Sequence, residues 1–304
     1  MCGLAGIASF NTDSVVPAGL VKKMCDVIAH RGPDDSGEAS FEGCTLGSRR
    51  LAILDLSPLG HMPMDSPSGR YSMAYNGETY NFQELKANLQ AKGHSFISGT
   101  DTEVILHLYE EYGAAMLDML NGMFAIAIWD KVERSLFIAR DRLGIKPLYY
   151  AVSENKLYFA SEEKALFAAG IEPVFDHSTW HELLYFRYVT GENTPFKGIK
   201  RLLPGHWMTL KNGRISFHRW WKLSEEIKKQ RETPIRDPEA WFRETFDSAV
   251  ALRKISDVPV GVLLSGGLDS ASVAASMAIN SSRPVSSFTV RFNEKEYDES
   301  SYAK

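Results

Sequence analysis

The sequence predicts an α+β protein in which sheets are covered by helices, followed by the beginning of a second, α/β unit. Three observations carry this reading. Helical patterns lie near both ends of a strand-rich middle. Residues 123–129 (MFAIAIW) are apolar throughout, as in a strand buried on both faces. Residues 260–264 (VGVLL) run directly into Ser265-Gly266-Gly267-Leu268-Asp269-Ser270 and then a helical pattern.

Taken in order, the run GLAGIASF after Cys2 reads as a strand. Over residues 17–30 the periodicity puts Leu20, Met24, Val27 and Ile28 on one helical face, and Pro17 suits the start. His30-Arg31-Gly32-Pro33-Asp34 forces a turn. Residues 46–55 predict a strand carrying Arg49 and Arg50, and residues 71–75 predict another. Asn76-Gly77-Glu78, as a bare tripeptide, reads as a hairpin turn after that strand.

Asn81 with Glu84 three residues on predicts a capping box, opening a helix through Leu85 and Leu89 to Gly93. A second helix follows Asp101, with Val104, Ile105, Leu108 and Tyr112 periodic and Gly113 as its stop. Residues 135–141 are the expected hairpin partner of 123–129, with further short strands around 148–152, 157–161 and 206–210. Residues 222–239 are charged and almost without apolar content. They read as a linker between a first domain at 1–221 and a second at 240–304. In the second, a helix is expected from Trp241 through Phe246, Val250 and Leu252, and 272–277 reads as helix. No internal repeat appears.

At 304 residues the chain is long enough for two domains. Its 44% apolar and 24% charged content is that of an ordinary globular protein. A net charge of −4 gives no electrostatic footprint for nucleic acid. No apolar run approaches the roughly 20 residues that cross a bilayer, and the N-terminus lacks a secretory signal. Three cysteines without paired spacing suggest reduced thiols in a cytoplasmic compartment, with Cys25 and Cys44 as core residues. No Cys/His cluster has zinc-site spacing.

Two stretches carry chemistry. Removal of Met1 would leave Cys2 with a thiol and a free α-amine on one residue. With reference pKa values of about 8.5 and 7.7–8.0, the amine can take the thiol proton near neutrality, so the nucleophile carries its own base. The second stretch is the strand, glycine turn and helix start at 260–270, an anion cradle in which backbone N–H groups converge at a helix N-terminus. It is neither a Walker nor a Rossmann motif. Ser265 and Ser270 add hydroxyl donors, and Asp269 could hold a magnesium ion against phosphates.

Cys2-Gly3, His30-Arg31-Gly32-Pro33-Asp34, Arg50-Leu51, Asn76-Gly77-Glu78, Tyr80-Asn81 and Asp101 resemble the glutaminase domain of class II glutamine amidotransferases. Residues 140–149 (RDRLGIKPLY) and Ala160-Ser161-Glu162 continue the match. With residues 265–270 added, the chain resembles the glutamine-hydrolysing asparagine synthetase family along nearly its whole length. The resemblance implies a four-layer αββα N-terminal-nucleophile sandwich followed by a parallel-sheet ATP-pyrophosphatase domain. It implies that Cys2 attacks the side-chain amide of glutamine, with the Asn76 amide and Gly77 N–H as the oxyanion hole. Arg50 would clamp the α-carboxylate through a bidentate fork. Glu78 and Asp101 would hold the α-ammonium, and Leu51, Ala52, Ile53 and Leu54 would complete the glutamine site.

In the second domain the resemblance implies ATP at Leu264, Ser265, Gly266, Gly267, Asp269, Ser270 and Val290, the last on the next strand, with Mg2+ at Asp269. Such enzymes adenylate a carboxylate, here expected to be aspartate, and let ammonia displace AMP. A homodimer is compatible with the family. The family's later magnesium aspartate and acceptor pocket have no counterpart before Lys304. The expectation is therefore a fragment or a truncated protein that hydrolyses glutamine without completing a synthesis. Residues 195–204 (PFKGIKRLLP) suit a branch in which some members aminate sugar acids or other carboxylates, which is the alternative reading. A non-catalytic glutamine sensor is disfavoured because a sensor needs no nucleophile.

Overall fold

The computed structural model describes residues 1–11, 15–294, 296, 298 and 300–303. They form two compact units, Met1–Glu226 and Ile227–Lys304. In chain order the first unit holds β1 (Gly3–Ser9), α1 (Leu20–Asp26), β2 (Asp35–Phe41), β3 (Cys44–Arg50), β4 (Met64–Asp65), β5 (Tyr71–Thr79), α2 (Phe82–Ala91), α3 (Asp101–Tyr112) and α4 (Met116–Met119). It continues with β6 (Gly122–Asp130), β7 (Ser135–Arg140), β8 (Tyr149–Ser153), β9 (Lys156–Ala160), α5 (Glu163–Ala168), α6 (Trp180–Phe186), β10 (Ile199–Arg201), β11 (His206–Lys211) and β12 (Arg214–Arg219). Helix α7 (Leu223–Glu232) runs across the boundary. The second unit holds α8 (Pro238–Leu252), β13 (Gly261–Leu263), α9 (Leu268–Ile279) and β14 (Ser286–Phe288).

The first unit is built on two six-stranded antiparallel sheets, ordered β10-β8-β9-β1-β3-β2 and β12-β11-β7-β6-β5-β4. Alternation along β1 decides its two faces. Leu4 and Ala8 point between the sheets, into a core with Leu46, Trp129, Ile138 and Phe159. Ala5 and Ile7 point outward against Val21, Met24 and Cys25 of α1 and Leu166 of α5. On the far side α3 covers the second sheet: Tyr109 meets Tyr71 of β5 and Phe137 of β7, each at 5.1 Å between ring centres. The order is helix, sheet, sheet, helix, the four-layer sandwich that the resemblance implies. In the second unit β13 and β14 pair in parallel, joined through α9, with Val250, Val262 and Met277 as a small core.

Several local expectations are overturned. Helix α1 starts at Leu20 rather than Pro17, because Gly19 caps it at φ 72°. It ends at Asp26, so helical spacing no longer reaches Val27, which is exposed; the buried face is Val21, Met24 and Cys25. The strand expected over 46–55 runs instead over Cys44–Arg50. Beyond it the chain leaves the ladder: Asp34 Oδ2 accepts from Ala52 N at 2.9 Å, and Arg50 gathers carbonyls of the following loop. Asn76-Gly77-Glu78 is no hairpin turn but lies within β5, paired along its whole length with β6.

The capping box is also absent. The Asn81 amide donates to Met119 O and its oxygen accepts from Asn121 N, tying down the chain before β6 instead of capping α2. Within the stretch read as linker, α7 is helical, with Glu225 and Glu226 in its first turn and Lys229 and Arg231 in its last, as the helix dipole favours. Helix α9 begins at Leu268 rather than 272, so Asp269 and Ser270 sit in its first turn.

Gly6 is a close approach whose missing side chain makes room for the Phe159 ring between the sheets. Gly6→Ala should cost about 1–3 kcal/mol by overpacking. Adding Phe159→Leu should recover part of that loss, which denaturant midpoints of the single and double variants will read.

Candidate active site

Cys2 lies one residue before β1, and the register Gly3↔Arg49 brings it against the first residues after β3. Leu51 N donates to Cys2 Sγ at 3.3 Å, and the thiol donates to Leu51 O at 3.6 Å. The main chain of Cys2 is fixed from the other side. Arg31 Nε donates to Cys2 O at 2.9 Å, while Arg31 Nη1 pairs with Glu162 at 3.0 Å. Glu162 also takes His30 at 2.8 Å and Lys164 at 3.0 Å. One residue earlier, Ser161 Oγ accepts from Leu4 N at 3.0 Å and from Asn76 Nδ2 at 3.5 Å. A single hydroxyl thus ties the strand that Cys2 leads into to the opposite sheet.

Cys2 opens into a cavity of about 270 Å³ that Arg50, Leu51, Ile53, Leu54, Asn76, Gly77, Glu78 and Asp101 also line. Ala52 is the one residue of the predicted glutamine set that does not, its backbone being held by Asp34.

The direction of the Gly77 N–H follows from the ladder. Phe124, opposite Gly77, spends both its backbone groups on Asp141: Asp141 N donates to Phe124 O at 2.9 Å and Phe124 N donates to Asp141 Oδ2 at 3.1 Å. Gly77 and Phe124 are therefore a non-hydrogen-bonded pair, and Gly77 turns its N–H away from β6. Thr79, two residues on, turns the same way and donates to Asp101 Oδ2 at 2.8 Å. Beyond that edge of β5 the sheet has only the two residues of β4, so the Gly77 N–H faces the cavity edge unclaimed by any strand. A side chain at Gly77 would strike Met123 O and Phe124. Asn76 is fully buried, and its Oδ1 has no partner among the described residues.

The charges around this cavity are shifted by burial. Burial pushes the Cys2 thiol up, against the Leu51 hydrogen bond, so a base is needed to form the thiolate. The Met1 α-amine, at the cavity wall, is pulled down by burial. Asp101 is raised by burial despite accepting from Thr79 N and Tyr75 OH, and Glu78 is raised by burial and by Asp101. Arg50 corrects the expected clamp. Its Nη2 already donates to Leu54 O at 2.9 Å and Asp55 O at 2.6 Å, and Nη1 to Ser57 O at 3.4 Å. The two-armed fork is spent on its own loop, leaving Nε and part of Nη1 for a ligand.

Sequence reasoning missed Ser161, Asp141 and Lys146. All three stand inside stretches that carried the resemblance, but their roles depend on partners far along the chain. Lys146 is buried and lines the cavity beside Cys2 and Glu78.

In the second unit Leu264, Ser265, Ser270 and Val290 line a hollow of about 390 Å³, together with Leu263, Phe288 and Phe292. Gly266, Gly267 and Asp269 do not, and Val290 lies past the end of β14 rather than on it. The turn itself is ordered by hydroxyls: Ser265 N donates to Ser270 Oγ at 3.2 Å and Ser270 Oγ donates to Gly267 O at 3.1 Å. Gly266 takes φ 83°, and Gly267 caps α9. These features fit an anion such as phosphate. Among the described residues no group of three or more His, Cys, Asp or Glu is placed for a metal, so a magnesium ion here would rest on Asp269 together with phosphate oxygens.

A cysteine heading a two-sheet sandwich and opening into a cavity defines the class, and comparison with known proteins agrees. Residues 1–221 match the glutamine amidotransferase domain family, and the chain belongs to it; residues 241–304 match the asparagine synthase family. The chain is 37% identical to glutamine-hydrolysing asparagine synthetase 3 of Bacillus subtilis, over 90% of this chain and 45% of that protein. It is 34% identical to synthetase 1 of the same organism, over 100% of this chain and 48% of that protein. An amidase of Gibberella zeae is 35% identical over 90% of this chain and 42% of its own length. The chain thus spans less than half the length of these relatives. Glutamine phosphoribosylpyrophosphate amidotransferase from B. subtilis shares the fold, with a TM-score of 0.56 at 17% identity, over 96% of this chain and 67% of that one. Among the described residues no helix is long and apolar enough to cross a membrane.

The raised Asp101 carboxyl predicts a trade between stability and binding. Its folded pKa lies above the unfolded value, so the parent gains stability as pH falls through the folded pKa toward the unfolded one. Asp101→Asn, which does not titrate, should be the more stable protein at pH 7. That advantage should shrink as the buffer is made acidic, as thermal melts from pH 7 to pH 4 will check.

Proposed function

We propose that this chain hydrolyses glutamine at Cys2 and that, within an asparagine-synthetase type of enzyme, the ammonia is delivered to an activated carboxylate. The observation that carries this reading is the convergence of the Cys2 thiol, the Asn76 amide and the outward Gly77 N–H on one cavity. In the proposed reaction Cys2 Sγ attacks the side-chain amide carbon of glutamine. The oxyanion receives hydrogen bonds from Asn76 Nδ2 and Gly77 N. Ammonia leaves with the proton taken from the thiol, and water then releases glutamate from the thioester. The base is the α-amine of Cys2 itself once Met1 is removed; burial of the chain start, which pulls the Met1 amine down, would keep it deprotonated near neutrality.

Glutamine is a zwitterion. Glu78 and Asp101 meet its α-ammonium, and the remaining Arg50 donors meet its α-carboxylate. The turn at 264–270 is proposed to hold, through its serine hydroxyls and glycine backbone, ATP phosphate, which when bound supplies the activation of the acceptor. Similarity to asparagine synthetases makes aspartate the proposed acceptor.

Cys2→Ala should abolish glutamate release while leaving the circular dichroism spectrum unchanged. Asn76→Ala should lower kcat by about 10²–10³-fold, the usual effect of one lost oxyanion donor. Mass spectrometry of active protein should find Met1 absent. Full glutaminase activity in Cys2→Ala would falsify the reading. ATP turnover with aspartate against other carboxylates, followed as pyrophosphate, separates the acceptors.

A further inference from the structure

Lys146 is the charged group of the cavity with no part in the reaction just described. It stands on the loop after β7, and its main chain is clamped: Asp141 Oδ2 accepts from Lys146 N at 3.0 Å, and Arg140 Nε donates to Lys146 O at 2.8 Å. The residue is 3% exposed, yet its side chain makes no hydrogen bond or close ion pair with another described residue. It lines the same cavity as Glu78, whose carboxylate is likewise uncommitted, and as Cys2. A buried ammonium costs free energy unless an opposite charge faces it. A fixed backbone therefore holds this cation where the cavity's anions, Glu78 foremost, and Asp141 offset it.

Two carboxylates line the same cavity, and neighbouring like charges oppose each other's ionisation. Asp101 is already satisfied by Thr79 N and Tyr75 OH. Glu78 has no such donors. The groups facing Glu78 are Asp101 on α3, the α-amine at the chain start and Lys146; those facing Lys146 are Glu78, Cys2, Arg31 and Asp141. Of the cations around Glu78, Lys146 has the largest influence, and Glu78 is the leading anion that offsets the burial of Lys146.

We propose that Lys146 is a positioning residue that holds Glu78 in its charged form beside Asp101, so that both carboxylates are ready for the α-ammonium of an amino-acid substrate. This rests on the reading of the cavity as a glutamine site. Lys146 acts through Glu78 and does not itself touch the reacting amide. Its removal should therefore leave the chemistry at Cys2 intact and weaken substrate capture on the acid side.

The test pairs two readouts on Lys146→Met, Lys146→Gln and Lys146→Arg. The first is a carboxyl-13C titration, with the Glu78 resonance identified by its loss in Glu78→Gln. The Glu78 midpoint should rise by about one unit in the neutral variants, as expected for loss of one facing charge, and stay near the parent value in Lys146→Arg. The second is the pH dependence of glutaminase kinetics. The acid-side rise in KM for glutamine should begin about one unit higher in Lys146→Met, with kcat at saturation within about twofold of the parent. An unmoved Glu78 midpoint in either neutral variant, with its melting temperature retained, overturns the proposal. So does a fall in kcat at every pH with KM unchanged. If the parent itself releases no glutamate, the glutamine reading fails, and the titration alone decides whether Lys146 sets the charge of Glu78.

Discussion

The carboxylate of Asp141 is the group on which the cavity's geometry depends. It is almost wholly buried and accepts four backbone N–H bonds: Phe124 and Lys146 on Oδ2, Leu143 and Ile145 on Oδ1. In effect a side chain continues the β6–β7 ladder by one step after β7 has ended. That step commits Phe124 toward Asp141, which in turn releases the Gly77 N–H toward the cavity. The same carboxylate folds the loop that carries Lys146. Arg140 closes the loop from the other side, donating to Gly144 O, Lys146 O and Leu202 O. Each of these donors would cost about 1–3 kcal/mol if buried and unpaired, so the loop is fixed by accumulated polar satisfaction rather than by apolar packing.

This explains which parts of the structure were legible in the sequence. Strands whose apolar pattern is strong, such as β1, β6 and β7, fell where the periodicity put them, because burial on one or both faces leaves a local trace. Asn76-Gly77 was misread in isolation because its turn propensity is local, whereas its pairing with β6 is set some fifty residues later. Asn81 failed as a cap for the same reason: distant backbone at Met119 and Asn121 outcompeted its own helix. Arg50 was visible as a cation near the cavity, but nothing in the sequence says that its own loop will occupy Nη2. Ser161 and Lys146 were visible only as letters in a motif.

The two candidate sites differ in the physics they use. Around Cys2, burial opposes the charge of two amines and two carboxylates that line a small cavity: Glu78 and Asp101 are raised, and Lys146 and the α-amine of Met1 are lowered. The proposed zwitterionic substrate would bring partners for both signs at once, so charges that cost stability would favour the bound state. Holding such charges in place before a ligand arrives is the usual origin of a trade between stability and function.

The donors of the turn at 264–270 are neutral, serine hydroxyls and glycine backbone at a helix N-terminus, with Asp269 as the acidic side chain of the span. None of its hydrogen-bonding groups titrates near neutrality, so its affinity for an anion should follow ionic strength far more than protein charge state. The cavity at Cys2 must instead respond to pH through at least four coupled groups: the thiol, the α-amine, Glu78 and Lys146. Under the proposed function, a pH dependence of glutamate release would report on the first unit alone, and salt dependence of nucleotide binding on the second. This difference allows the two units to be assayed separately within one polypeptide.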